Sequence, residues 1–313
     1  MSYRFDHPER LAFEIRRVAA ERLENALEQL GGELERNPAV AIHTARKDIK
    51  KTRSLMRLVK DSLGADRFRA ENGRLRDAAH LLAGAREADA QAEALEVLIT
   101  HAGAGASPEA LAAARAWLNG MPRRSGPGAD VVHSATEASA LIRQARDDAR
   151  LWGLGYGSFQ LIAPGIRRTY AQGRRGLAAA TVDSGDATVH EWRKRVKDMW
   201  YSLRLLGDMW EPVIRPMADQ ANDLSERLGD HHDLGEVRIA IESGEAGMSE
   251  AVRTELIALV DARQAELHAA AISLGGRLYA ERPGRYVERL EGLWHAWETG
   301  VAQQIEQDGL PGS

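Results

Sequence analysis

Apolar residues recur at three- and four-residue intervals along almost the whole chain and rarely alternate, a pattern that predicts helices and no sheet. Leu11, Ile15, Val18, Leu23, Leu27 and Leu30 form the first stripe. They predict a helix that starts near Pro8, with Asp6 as its candidate cap, and reaches the Gly31-Gly32 pair. A second helix is predicted from Pro38 to Leu63, and a long third from Asp66 to Ile99, stopped at Gly103 and Gly105. A shorter one covers Glu109 to Leu118, and the run NGMPRRSGPGAD, residues 119–130, is the strongest loop signal. Helix resumes from Ser134 to Trp152, breaks at the glycines between Gly153 and Gly157, and returns from Ser158 to Ala180 across Pro164-Gly165. The remaining predicted helices span 187–209, a region opened by Pro212 and Pro216 and ended within LGDHHDLGEV (228–237), Ser249 to Leu274, and Arg285 to Gln307.

Two of these helices carry one motif. In Ile42 to Val59, IHTARKDIKKTRSLMRLV, and in Val189 to Leu206, VHEWRKRVKDMWYSLRLL, a His is followed at +3 and +4 by Arg-Lys, at +7 by Lys and at +14 by Arg. These are His43, Arg46, Lys47, Lys50 and Arg57, then His190, Arg193, Lys194, Lys197 and Arg204. At about 100° per residue the five offsets fall within an arc roughly 100° wide, so each helix presents one His and four cations on one face. Ser54 and Tyr201, both at +11, share that face. Ile42, Ile49, Met56 and Val59 lie elsewhere on the first helix, and Val189, Trp192, Val196, Met199, Leu203 and Leu206 elsewhere on the second, so each has a separate core side.

Composition sharpens this. The 313-residue chain can bury a sizeable core in one or two domains, is rich in Ala, Leu, Glu and Arg, and carries a net charge of −4. Against that mildly acidic background the stretch 43–60 holds seven basic residues and one acid, Asp48, and a multivalent anion would relieve their repulsion. The overall charge argues against indiscriminate binding to nucleic acid or an anionic membrane, so anion recognition must be local. No Cys is present, which removes disulfides, thiolate zinc sites and Cys nucleophiles. The N-terminus lacks an apolar signal-type region and no run is long enough to span a bilayer, so the expected location is the cytoplasm.

The motif repeats at an offset of 147 residues, which predicts duplicated helical bundles, residues 1–157 and 158–313, and no short solenoid. Packed about a pseudo-two-fold axis, the two cationic faces would meet across one channel. The two H-x-x-R-K-x-x-K stretches, the second preceded by GIRRTYAQGRRGLAAA and followed by LSERLGDHHDLGEV, resemble the CHAD family, the conserved histidine α-helical domain, from the first helix to about Glu306. The resemblance implies one all-α domain built from two four-helix bundles related by internal symmetry around a basic groove or pore. It also implies binding of inorganic polyphosphate without catalysis by the domain itself. Carried across, the binding positions are His43, Arg46, Lys47, Lys50, Arg53 and Arg57, with His190, Arg193, Lys194, Lys197 and Arg204. The opening helices of the halves add Arg16, Arg17, Arg167, Arg168 and Arg174. Arg53 becomes Trp200 in the second copy, so the binding face is expected to be lopsided. Members of the family are often fused to a triphosphate-tunnel domain, for which this chain leaves no room. Polyphosphate granules or a polyphosphate-metabolising enzyme are the partners to expect.

Each signal has a plainer reading. A basic stripe on a single helix is ordinarily a solvated face, but a merely solvated face has no reason to reproduce identity at four spacings. The chemistry fits: polyphosphate carries about one negative charge per phosphate, Arg offers a planar fork and Lys a mobile point charge. His43 and His190 are read as neutral hydrogen-bond donors, since flanking cations disfavour both protonation and a metal ion. His231 and His232 point in different directions on a helix and cannot easily share an ion, so a helix break with Asp230 or Asp233 as cap is the preferred reading there. No GxxxxGK[ST] or Gly-x-Ser-x-Gly occurs, and no cofactor is expected. A metal-assisted phosphatase or His phosphotransfer protein is the enzymatic alternative, although the motif helices supply no acidic cluster for a metal. A nucleic-acid-backbone binder is the third, disfavoured because no aromatic platform interleaves the basic residues.

Overall fold

The computed structural model describes residues 3–83, 87–121, 129–155, 157–244 and 247–308, and among these it is all-α, with no strand. The helices are α1 (Leu11–Glu28), α2 (Pro38–Leu58), α3 (Lys60–Leu63), α4 (Ala65–Leu81), α5 (Glu87–Ala102), α6 (Pro108–Gly120), α7 (Ala129–Arg150), α8 (Ala163–Val182), α9 (Asp186–Leu205), α10 (Glu211–Glu242), α11 (Glu250–Leu278) and α12 (Pro283–Asp308). Local chemistry sets several starts. The Asn37 side chain accepts from the Val40 amide ahead of Pro38, Ser107 caps α6 ahead of Pro108, and Ser249 caps α11.

Three elements depart from the sequence expectation. The long helix expected over Asp66–Ile99 is two helices, α4 and α5, because α4 ends at Leu81 and the Arg46 guanidinium of α2 donates to the Leu82 and Ala83 carbonyls beyond it. The second helix ends at Leu58, with Val59 outside helical geometry before the single turn of α3. The break expected within LGDHHDLGEV does not exist: α10 is continuous for 32 residues through it. Of the loop expected over 119–130, residues 122–128 lie outside the described residues.

Helix α1 packs on α2 and α7, and α4 packs on both α7 and α2. In the later part of the chain α9 packs on α8 and α10, and α11 packs on α10 and back on α8. Helix α2 lies against α9 and α8, so the two motif helices are neighbours. Their apolar sides are where the pattern put them: Ile49, Met56, Val59, Val189, Trp192 and Val196 are fully buried in the main core. The hairpin of α5 and α6 seats Leu95, Leu98, Ala110 and Ala114 against Leu234, Val237, Ile241, Val252 and Leu256 in a second apolar cluster, on α10 and α11.

The N-terminal segment ties the motif helices together. The Phe5 amide donates to the Leu205 carbonyl at the end of α9, and the Tyr3 hydroxyl donates to the Lys51 carbonyl on α2. Arg17 lies on this tie, held by Glu14, Asp6 and Glu21 and donating to the Arg4 carbonyl. These partners raise its pKa further above the ordinary guanidinium value.

Candidate functional site

Between α2 and α9 runs a cleft of about 430 Å³ whose walls carry Lys50, Arg53 and Arg57 from one helix and His190, Arg193, Lys194 and Lys197 from the other. A second cleft of about 360 Å³ continues from it, sharing Lys50, Arg193, Lys197 and Tyr201 and adding His43, Arg46 and Lys47. Ten of the eleven motif positions therefore line one connected concavity. Such crowding of like charge is tolerable where solvent screens it and most favourable with an anion between the walls. Arg204, the eleventh, lines a third cleft beyond Trp200.

The five arginines of the opening helices do not line these clefts. The Arg16 guanidinium donates to the Trp152 carbonyl, Arg17 sits in the N-terminal tie described above, and Arg168 bonds to Asp61 and to the Arg57 carbonyl. Arg167 and Arg174 are exposed on α8.

The cleft also contains residues that the motif reading passed over. Asp198, in the first cleft, is buried, with its side chain 8% exposed, and accepts from Arg57 at 2.8 Å and from Arg195 at 3.4 Å. Burial raises its pKa, while Arg57, Arg195 and the Ser54 hydroxyl pull it back. Asp198 stands at +8 of the second copy, where the first has Lys51, and Arg195 stands at +5, where the first has Asp48. Both copies thus hold an i,i+3 ion pair at the same two positions with the signs exchanged, Lys51 to Asp48 at 2.7 Å and Arg195 to Asp198 at 3.4 Å. Asp48, the one acid in the first basic stretch, serves a buried network with Lys51, Arg22 and Asn25, away from the clefts. That the charges alternate sign between copies was readable in the sequence; that Asp198 would reach the opposite helix was not.

Helix α10 supplies the remaining wall of the second cleft with Asn222, Ser225, Glu226 and Asp233. It comes close because Gly229 has no side chain: a Cβ there would lie 2.5 Å from the Arg193 guanidinium. Gly235 does the same for Asp186, whose carboxylate would be 2.4 Å from a Cβ. His231 and His232 diverge as expected of helix neighbours. His231 is buried with its Nδ1 3.3 Å from Asp186, whereas the His232 ring meets that of His190, centroids 4.3 Å apart. Burial first, then His232, Lys194 and Arg193, pull the His190 imidazole down to about 4, so it is neutral at pH 7. Among the described residues no group of three or more His, Asp or Glu side chains is arranged to hold a metal ion.

An aromatic pair was also missed. Trp200 and Tyr201 stack, with centroids 4.7 Å apart, and both line the second cleft, so aromatic surface does interleave the basic residues. Tyr201 is almost fully buried, which pushes its hydroxyl up to about 12 and keeps it a neutral donor.

Two helices of this all-α chain thus carry the same basic motif and line one connected cleft. The model of the CHAD domain matches residues 17–241, and the chain belongs to that family. The match takes in α2, α9 and the whole glycine-bearing stretch of α10, and stops short of α11 and α12. No curated protein and no solved structure matches the chain. No helix among the described residues is long and apolar enough to cross a membrane.

Proposed function

We propose that this protein binds inorganic polyphosphate, without chemistry, in the cleft between α2 and α9. One observation carries the reading: Lys50, Arg53 and Arg57 of α2 share a cleft with His190, Arg193, Lys194 and Lys197 of α9, and the acid that lines it with them, Asp198, is buried and already paired. Phosphate oxygens would take charge-assisted hydrogen bonds from the guanidinium forks and the ammonium groups of both helices. His43 and neutral His190 would add N–H donors, consistent with the cations that surround them. Affinity then grows with chain length, because each further contact adds attraction without a second full loss of translational freedom.

The same reading takes the chain as one CHAD domain, 1–313, made of two halves, 1–157 and 158–313, each contributing its motif helix to the shared groove. The helix neighbours support two such sets, since α1, α2, α4 and α7 pack among themselves, as do α8, α9, α10 and α11, and α2 meets α9 between them, while the α5–α6 hairpin of the first half crosses over to pack on α10 and α11. Arg16, Arg17, Arg167, Arg168 and Arg174 have no place in the proposed contact set. The partners to look for are polyphosphate itself, its granules, or an enzyme that makes or degrades it.

Calorimetric titration of long-chain polyphosphate against orthophosphate tests this. Long chains should bind far more tightly, the affinity should fall steeply with salt, and Lys50→Glu with Lys197→Glu should remove binding while the helical circular dichroism persists. Equal affinity for orthophosphate would end the proposal. Time-dependent phosphate release, abolished by substituting His43 or His190, would replace it with a hydrolytic function, and equal competition by RNA would make the ligand a nucleic-acid backbone.

A further inference from the structure

The cation row of α9 does not end in the shared clefts. Arg204 lies fourteen residues beyond His190, about 21 Å along the helix at 1.5 Å per residue, on the same face. Its guanidinium sits over aromatic rings, 5.5 Å from the Trp200 centroid and 5.8 Å from that of Tyr3. A guanidinium held by ring faces keeps its in-plane N–H donors for oxygen acceptors. It opens onto a third cleft of about 440 Å³, which shares Trp200 and Asn222 with the second and so continues the groove past the aromatic pair.

Two further arginines reach this third cleft from other elements. Arg4 comes from the N-terminal segment and Arg215 from the first turns of α10. Both hold the Asp208 carboxylate, Arg4 Nη1 at 3.0 Å and Arg215 Nη2 at 3.0 Å, so that acid is shared between two cations. Asp219 is the other acid of the cleft, which leaves Arg4, Arg204 and Arg215 in excess over Asp208 and Asp219. Outside the lining, Asp6 also holds Arg4 and Glu211 also holds Arg215, so the cation excess narrows from the first cleft to the third and rests there on Arg204.

We propose that a bound polyphosphate chain runs past Trp200 into this third cleft, where Arg204, Arg4 and Arg215 take further phosphates of the same chain. The inference rests on the polyphosphate reading and adds a length threshold to it. A short oligophosphate is satisfied between α2 and α9; only a longer chain also reaches the third cleft. Asp208 opposes the longer chain, since its carboxylate is the acid shared by both arginines the phosphates would use, which Asp6 and Glu211 hold singly.

The experiment is a titration of triphosphate and of long-chain polyphosphate against the wild-type protein, Arg4→Gln with Arg215→Gln, and Asp208→Asn. The arginine variant should lose about tenfold in affinity for the long chain and keep its triphosphate affinity. Its salt dependence for the long chain should also become shallower, by an amount set by the phosphate contacts removed. Asp208→Asn should bind the long chain more tightly and triphosphate unchanged, a gain that no folding defect produces. If the wild-type protein binds both ligands and these variants shift both alike, or neither, the third cleft is no part of the path and the inference is overturned while the polyphosphate reading stands. If the wild-type protein binds neither ligand, both fall together.

Discussion

The Arg57 guanidinium of α2 donates to the Asp198 carboxylate of α9 across 2.8 Å, joining the two motif helices within the cleft that their cations line. The pair has two opposing consequences. It fixes the separation of the cation rows, and it engages one cation that a phosphate would otherwise use. Breaking a buried pair is costly because it strands a charge, whereas an isosteric amide keeps most of the hydrogen bonding. Asp198→Asn should therefore lower folding stability by about 1 to 3 kcal/mol in a denaturant titration. In the same protein Arg57 loses its internal rival, so polyphosphate affinity should rise about threefold to tenfold. A loss of both stability and affinity would mean that the tie matters more for aligning the helices than for occupying Arg57.

Gly229 lets Arg193 lie flat against α10, and a Cβ at that position would sit 2.5 Å from the guanidinium. In a helix interior Gly→Ala ordinarily stabilises by about 0.5 to 1 kcal/mol. Here the flexible end of an arginine can swing aside, so Gly229→Ala should fold with little change in stability while Arg193 leaves its place between the first and second clefts. A several-fold loss of polyphosphate affinity with an unchanged melting temperature is the expected result. Gly235→Ala serves as the comparison: it presses on Asp186, which holds Gln264 and approaches His231, so it should destabilise the fold and leave binding intact.

The core of the fold and nine of the ten cleft positions were legible because both follow from helical periodicity; the tenth, Arg53, came from the family resemblance. Ile49, Met56, Val189 and Trp192 went inside and the cations at +3, +4 and +7 went to one face, as spacing alone dictates. What spacing does not encode is which surfaces meet. Gly229 and Gly235 read as punctuation in LGDHHDLGEV, yet they are contact points inside an unbroken helix, a role that depends on Arg193 and Asp186 of the preceding helix α9. The end of α4 is met by Arg46 of another helix, and Gly84, three residues on in the sequence, is a local signal that the continuous apolar spacing across it overrode. Asp198 was passed over for a related reason: at +8 it lies outside the motif, and only the packing of α2 on α9 makes it the partner of Arg57.

The hairpin of α5 and α6 supplies a stability test that should leave the site alone. Leu95 is fully buried in the apolar cluster on α10 and α11, and none of the three clefts includes it. Leu95→Ala should cost about 2 to 5 kcal/mol, from lost burial and the cavity left behind. Polyphosphate affinity of the folded protein should be unchanged, and saturating ligand should recover stability by about 2.7 kcal/mol at a hundredfold excess over Kd. Affinity that fell in step with stability would mean that this hairpin holds α10 in place for the cleft.

His190 gives the binding a predictable pH dependence. In the folded protein without ligand its imidazole is pulled down to about 4 by burial, by His232 and by Lys194 and Arg193, whereas in the unfolded chain it titrates near the ordinary value of 6.5. Between those values the unfolded state binds the extra proton, so His190 takes stability away as pH falls from about 6.5 towards 4 and contributes no further slope below that. The ring is partly open to solvent, which reduces the effect to the order of 1 kcal/mol. A polyanion in the cleft reverses the local field: phosphate oxygens beside His190 favour the imidazolium, so binding takes up a proton and tightens as pH falls through the same window. His190→Gln should flatten both profiles, keeping a neutral donor at that position and leaving affinity near pH 7.5 within about threefold of wild type. Titrations of long-chain polyphosphate at pH 5.0, 6.0 and 7.5, whose internal phosphates stay ionised throughout, separate the protein's proton from the ligand's. An affinity that did not change across this range in the wild-type protein would show that the anion passes out of reach of His190.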